Sequence, residues 1–440
     1  MRQRVVRVSL VAGVIVLALL LLLATCGGSG DSKDDKGDGP PKKPVRNSAA
    51  PATQLTVPPS YDTQHGWEII GASPEYAVAT AAGSLAYLQR VDEVQFRLRT
   101  LDPATGKRGW DGAPWRPLFS PDRFPRLLSV AKGGQEYFVT WSYGKLTADV
   151  LTHSDSIVSL DVYRVADGSW RRVEVPWTDA PTVTATGPGI LITDSKATSA
   201  VVDPATGDVV KAPPGTLGYP KGCTECRRLT EVRGVTDKGL LVSGAREFWV
   251  RGGWFSRKVA PKDTEPTSGV PTSTAPGYVL AKWQRKKGAK DAATHEVWAL
   301  HDATTGKTVA QVRCRKPAIA PGTDPRLVAS PNGRYLIAGR LAFAVETKTA
   351  YCFEESDGTK PLTLTTVTDQ GTAYGASGAR SAADALAGGG TPVTVDVTAG
   401  TPKALAPNVR LPSGEATGVG LFRWTDTNDT LHLIGYAQRG

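Results

Sequence analysis

Several residues and spacings are scarce in this chain, and each scarcity narrows the chemistry open to it. Methionine occurs once, as the initiator, so no thioether is available to ligate a metal or a haem. There are five histidines: His65, His153, His295, His301 and His432. None stands at His-x-x-x-His spacing and none accompanies a nucleophile motif, so each reads as a surface or strand residue. Gly388-Gly389-Gly390 lacks the Lys-Ser/Thr that a phosphate loop requires and reads as a flexible loop. Glu354 and Glu355 are sequence neighbours that point to opposite faces, which is no glycosidase pair. Long helical periodicity is missing beyond the N-terminus. With 47 glycines and 32 prolines in 440 residues, that leaves many short strands joined by turns.

What is present begins with Arg2, Arg4 and Arg7 ahead of an uncharged run, 8–24, dominated by Leu, Val and Ala. A basic flank followed by an apolar core is an export or anchor signal, with the arginines on the cytoplasmic side. The run falls between a cleaved signal core and the about 20 residues of a spanning helix. Leu23-Ala24-Thr25-Cys26 resembles a bacterial lipobox, in which Cys26 would be lipidated, although Thr25 departs from the Gly, Ala or Ser usual before that cysteine. A lipoprotein and a single-pass transmembrane anchor therefore both stand, and either places the body outside the cytoplasm. Residues 1–26 are read as this signal or anchor segment and residues 27–60 as a disordered tether. The stretch 27–38 has no apolar side chain to offset its ordering entropy, and Pro40-Pro41-Lys42-Lys43-Pro44 adds an extended piece. The folded body is 61–440. A net charge of +10 suits solubility. The expected partners are the membrane, through the N-terminal segment, and another envelope protein or a wall polymer. No nucleic acid is expected, and the chain is expected to be a monomer.

The body repeats one turn. In Leu101-Asp102-Pro103-Ala104-Thr105-Gly106-Lys107-Arg108-Gly109-Trp110, Asp102 can accept from amides two residues on, Pro103 presets φ, and Gly106 takes a positive φ. Echoes follow at Asp203-Pro204-Ala205-Thr206-Gly207 and Asp302-Ala303-Thr304-Thr305-Gly306-Lys307, with weaker ones at Asp167-Gly168 and Thr398-Ala399-Gly400. Gly253 and a glycine-free turn near Lys348 complete the series, at the spacing of one propeller blade, about 40–50 residues. β-rich runs fill each interval, among them 85–89, 136–141, 189–193, 239–242, 278–281, 335–338 and 393–397. The last two strands, 419–424 and 431–436, lack an outer partner, while the early strand around Trp67 lacks a blade. Pairing them closes the ring between the termini and removes exposed edges. The expected fold is all-β, a β-propeller of four-stranded blades, eight in number, with seven as the alternative.

Asp102-x-x-Thr105-Gly106-Lys107-x-x-Trp110 resembles the tryptophan-docking motif of quinoprotein-type propellers, the pyrroloquinoline-quinone-like repeats. That resemblance implies that Asp102, Thr105 and Gly106 shape the turn and that Trp110 wedges between blades. Asp302-x-x-Thr305-Gly306 keeps the turn with Ala310 in the tryptophan position, and Asp203-x-x-Thr206-Gly207 has Lys211 there. The family holds both quinone-dependent oxidoreductases and cofactor-free scaffolds. The alcohol-oxidising members carry adjacent cysteines, and some carry Cys-x-x-Cys-His; neither occurs here. The expectation is a binding or scaffold module with no catalytic residue, cofactor or metal. A quinone-dependent oxidoreductase or a carbohydrate-active surface protein is the alternative.

Four cysteines remain in the body. Cys223-Thr224-Glu225-Cys226 is expected as a local structural disulfide, with a redox pair or half of a zinc site as alternatives lacking their usual context. Cys314 and Cys352 fall after successive blade turns, so a bridge between neighbouring blades is expected. Arg285-Lys286-Lys287 with Lys290 reads as a solvated hairpin tip.

Overall fold

Runs of apolar and β-branched residues form eight separate antiparallel sheets, each meandering in sequence order. A computed structural model describes residues 49–118, 125–145, 155–194, 198–317, 324–355 and 360–439. The apolar run 8–24, Cys26, the tether as far as residue 48, His153 and most of the insertion after residue 145 lie outside the described residues. Among the described residues no helix is long and apolar enough to cross a membrane.

Blade 1 comprises Ala72–Ala79, Ser84–Arg90, Phe96–Leu101 and Arg108–Asp111, from the inside of the ring outwards. Middle strands such as Gly189–Thr193 and Leu341–Ala344 are buried almost without interruption. Both faces of such a strand lie against neighbouring blades, so its sequence is continuously apolar rather than alternating. Eight buried hydrophobic clusters follow among the described residues, one at each interface between successive blades.

The ring closes as the unpaired terminal strands require. Tyr61–Ile70 adds to Leu431–Gln438, with Trp67 opposite Gly435 and Ile70 opposite His432. Blade 8 is thus Gly414–Ala416, Val419–Thr425, Leu431–Gln438 and the N-terminal strand. The protein is an eight-bladed β-propeller.

Two expectations need correction. Blade 4 is not four-stranded: Glu231–Thr236, Gly239–Ser243 and Phe248–Val250 make three strands, and one bridge between Trp249 and Phe255 stands where the fourth would be. A short 3-10 turn, Ser256–Lys258, diverts the chain there. The tether boundary at residue 60 also falls too late, because residues 49–60 lie on the propeller. Leu55 and Val57 pack on the cluster between blades 7 and 8, the Leu55 amide donates to Tyr436 Oη at 3.1 Å, and the Arg410 amide donates to Thr56 O at 2.8 Å. These two apolar side chains are what the stretch 27–38 lacks.

Candidate functional site

The turn that organises the sequence is a closed hydrogen-bonded unit. Gly106 N–H donates to Asp102 O at 2.8 Å, Ala104 N–H to Asp102 Oδ1 at 2.8 Å, and Thr105 Oγ1 to Asp102 Oδ2 at 2.8 Å. The tryptophan it receives is Trp67 of blade 8, whose Nε1 donates to Pro103 O at 2.7 Å. Trp110 belongs to the next interface: its Nε1 donates to Val165 O at 2.8 Å, and its ring covers Gly168 of blade 2. Trp254 does the same for blade 5, donating to Ala303 O at 2.9 Å, and Tyr351 for blade 7, donating to Thr398 O at 2.9 Å. Each aromatic residue therefore docks on the turn of the following blade. Ala310 and Lys211 are not failed partners of their own turns; Trp254, from the preceding blade, already fills the one at Asp302. Asp102, Lys107 and Trp110 also line a cleft of about 280 Å³.

Antiparallel order puts the first-to-second turn of every blade, and the third-to-fourth turn of each blade that has one, on one face. The second-to-third loops and the blade-to-blade connections gather on the other. This second face carries a cleft of about 190 Å³ between blades 3 and 4. Thr182 and Thr184 come from the inner strand of blade 3, and Glu231 and Arg233 from that of blade 4. Thr193, Asp194 and Thr198 flank the loop of blade 3 above them. Glu231 and Arg233 form an ion pair at 3.0 Å, both about half exposed, so the cleft offers both signs of charge beside a row of hydroxyls. Leu191 and Val232 form its floor and also belong to the buried cluster holding Cys223 and Cys226. Deeper in the ring, Thr186 of blade 3 hydrogen-bonds Thr274 of blade 5, whose side chain packs over Gly234.

Cys223 and Cys226 form a disulfide with Cα atoms 5.5 Å apart, and Cys314 and Cys352 form one at 5.9 Å that links the outer strands of blades 5 and 6. Arg285, first of the basic cluster, pairs with Asp291 at 3.1 Å.

These observations establish a propeller fold with a polar cleft on one face. No family model and no curated protein matches the chain. Among solved structures, the Dos1 propeller aligns over 84% of this chain and 94% of its own, at 8% identity and a TM-score of 0.38.

Glu415 escaped the sequence reading, and His301 and His432, read as surface or strand residues, prove to be buried strand residues. His432 is buried between two carboxylates, with Nδ1 2.6 Å from Glu68 Oε1 and Nε2 3.5 Å from Asp426 Oδ2. Burial pushes the Glu68 carboxyl up, but the Thr53 hydroxyl and amide together with His432 outweigh it and hold it below the usual range. His301 lies under Trp254 and beside Phe248; burial lowers its pKa to about 4 despite a 2.8 Å contact from Nδ1 to Gly306 O. Glu415 is buried beside Tyr61 and Tyr374. Nothing in the spacing of Glu415 and His432 points to their partners; only the closure of the ring brings Tyr61 to Glu415 and Glu68 to His432, whereas His301 is enclosed by the packing of blade 4 on blade 5.

Proposed function

We propose that this propeller is a membrane-anchored extracytoplasmic module that acts by binding or scaffolding, with the cleft between blades 3 and 4 as its contact site. The cleft carries the reading. Thr182, Thr184 and Thr198 supply hydroxyls, and Glu231 and Arg233 an adjacent ion pair, which suits a polar, hydroxyl-rich or zwitterionic ligand such as a wall polymer or an envelope-protein loop. A surface of this kind recognises by hydrogen bonds and charge placement. The Asp102-x-x-Thr105-Gly106 turn and the docked tryptophans support kinship with the cofactor-free, quinoprotein-type propellers. The arginine-flanked apolar run and Cys26 support the anchored placement.

The test has two arms. Intact mass of the membrane-extracted chain reads the anchor: a diacylglycerol adduct on Cys26 means a lipoprotein, an unmodified full-length chain means a spanning anchor, and a chain in the soluble fraction refutes the placement. Crosslinking in intact envelopes reads the site. Arg233→Glu, which turns the ion pair into two like charges, is expected to abolish the wild-type crosslinked species. An unchanged crosslinking pattern refutes the cleft as the contact site.

A further inference from the structure

We propose that Cys223–Cys226 is a reversible dithiol–disulfide exchange centre, with Glu247 relaying its protons. This goes beyond the binding reading and does not depend on what occupies the cleft.

The argument starts from Glu247, which immediately precedes the third strand of blade 4 and is 2% exposed. Both its oxygens accept from Arg257, at 2.8 and 2.9 Å. Its Oε2 also lies 3.0 Å from Cys223 Sγ, and the Cys226 amide donates to the same sulfur at 3.1 Å. A disulfide sulfur has no proton to give, so in the oxidised protein a carboxylate oxygen faces a sulfur lone pair. On reduction Cys223 gains an S–H that donates into this oxygen, and the Cys226 amide stabilises the charge of a Cys223 thiolate. The surroundings are thus built for the reduced pair as well as for the bridge.

Access and geometry agree. Cys223 is 6% exposed and Cys226 fully buried, so an incoming thiol meets Cys223 and Cys226 leaves. The two sulfurs and a Glu247 oxygen lie within 4.8 Å of one another. The second disulfide is arranged differently. It ties the outer strands of two blades; Cys314 is fully buried and Cys352 half-buried, and the Glu354 oxygen, also within 4.8 Å of both sulfurs, stands farther off, 3.8 Å from Cys352 Sγ, and accepts from the Arg315 amide.

The co-reactant is a dithiol. Its first sulfur bonds to Cys223 Sγ as the Cys223–Cys226 bond breaks, and the proton it releases passes through Glu247 to the Cys226 thiolate. Its second thiol then attacks the first sulfur, the bond to Cys223 breaks, and Cys223 takes the second proton. The dithiol leaves oxidised to a disulfide, and the cysteine pair has gained two electrons and two protons.

Dithiothreitol is the probe, applied to the detergent-extracted full chain without denaturant. Alkylation and peptide mass spectrometry then read each cysteine pair separately. Cys223–Cys226 is expected to open at least about tenfold faster than Cys314–Cys352, and to close again on adding oxidised dithiothreitol. Glu247→Gln loses the charge that pairs with Arg257 and so melts lower, but below its own melting temperature it is expected to slow exchange about tenfold and flatten its pH profile. Cys226→Ser is expected to accumulate a mixed disulfide on Cys223. The proposal is overturned if Cys223–Cys226 opens no faster than the other pair, if it opens only as the fold is lost, or if Glu247→Gln exchanges with the wild-type rate and profile. Zinc held by the reduced pair firmly enough to block re-oxidation also overturns it, in favour of a metal site. Should Glu247→Gln fail to fold, the comparison of the two pairs in the wild-type chain decides.

Discussion

Glu415 lies 8% exposed at the seam between blades 7 and 8, and neither of its oxygens has a hydrogen-bond partner of normal geometry. Burial, and then the Asp369 charge, raise its pKa from 4.5 to about 8. The unfolded chain releases this proton in the usual carboxylate range, whereas the folded chain holds it to about 8. The group therefore costs stability as the pH rises through that window, by up to about 1.4 kcal/mol per pH unit where the two states differ by a whole proton. Glu415→Gln keeps the shape and removes the titration. Denaturant unfolding at pH 5 and pH 9 checks this: the variant should gain on the wild type at pH 9 and show a smaller difference at pH 5. An equal difference at both would show that the carboxyl does not titrate in this window. No sequence motif marks Glu415, nor the contact between Glu68 and His432, which are 364 positions apart. Each sits in an ordinary strand and acquires its environment only when the termini meet.

At the scale of the element, the docking turns explain why some of the fold is legible and some is not. Asp102, Thr105 and Gly106 interact within six residues, so their pattern reveals the turn without help from the rest of the chain. The inner strands are harder to see. Thr182–Gly187 and Val270–Ala275 are rich in Thr and Ser because they face the centre of the ring, and they lack the apolar runs that expose the middle strands. That Trp67 serves the turn of blade 1 is also invisible, because it depends on which strand closes the ring. Gly106 has φ +71°, and an added Cβ would lie 2.5 Å from Trp67 Cβ, so Gly106→Ala is both strained and overpacked. Trp67→Ala alone should cost about 3–5 kcal/mol. The double variant should cost less than the sum of the two, because removing the indole relieves the clash at residue 106. Strict additivity in chemical denaturation would mean that the two residues do not meet. Lys348, at φ +57°, holds the left-handed position of the blade 6 turn without being glycine, and Lys348→Gly should add up to about 1 kcal/mol.

For the whole molecule, the eight blades form one ring, and the pairing of the two terminal strands inside blade 8 has no covalent loop behind it. It holds by the register of Tyr61–Ile70 on Leu431–Gln438, by Trp67 on the Asp102 turn, and by Thr53 and Leu55 bound to Glu68 and Tyr436. The unmatched strands at the two ends of the sequence made this closure legible; the docked segment before residue 60 was not, because Leu55 and Val57 stand alone among polar residues and prolines. A truncation series separates these contributions. A chain starting at residue 49 keeps all of them and should melt as the full chain does. One starting at residue 61 loses two hydrogen bonds to Glu68 and the cover of Leu55 and Val57, so it should melt lower but still in a single transition. One starting at residue 72 removes the outer strand of blade 8 together with Trp67. That exposes the edge of Leu431–Gln438, uncovers Leu433 and leaves the blade 1 turn without its indole. It should open the ring, and calorimetry with size-exclusion chromatography should find aggregation or a broad, split transition. A sharp melt of a monomer at the full-chain temperature would place the stability of the propeller in its individual blades, and the N-terminal strand would be an accessory rather than the closing link.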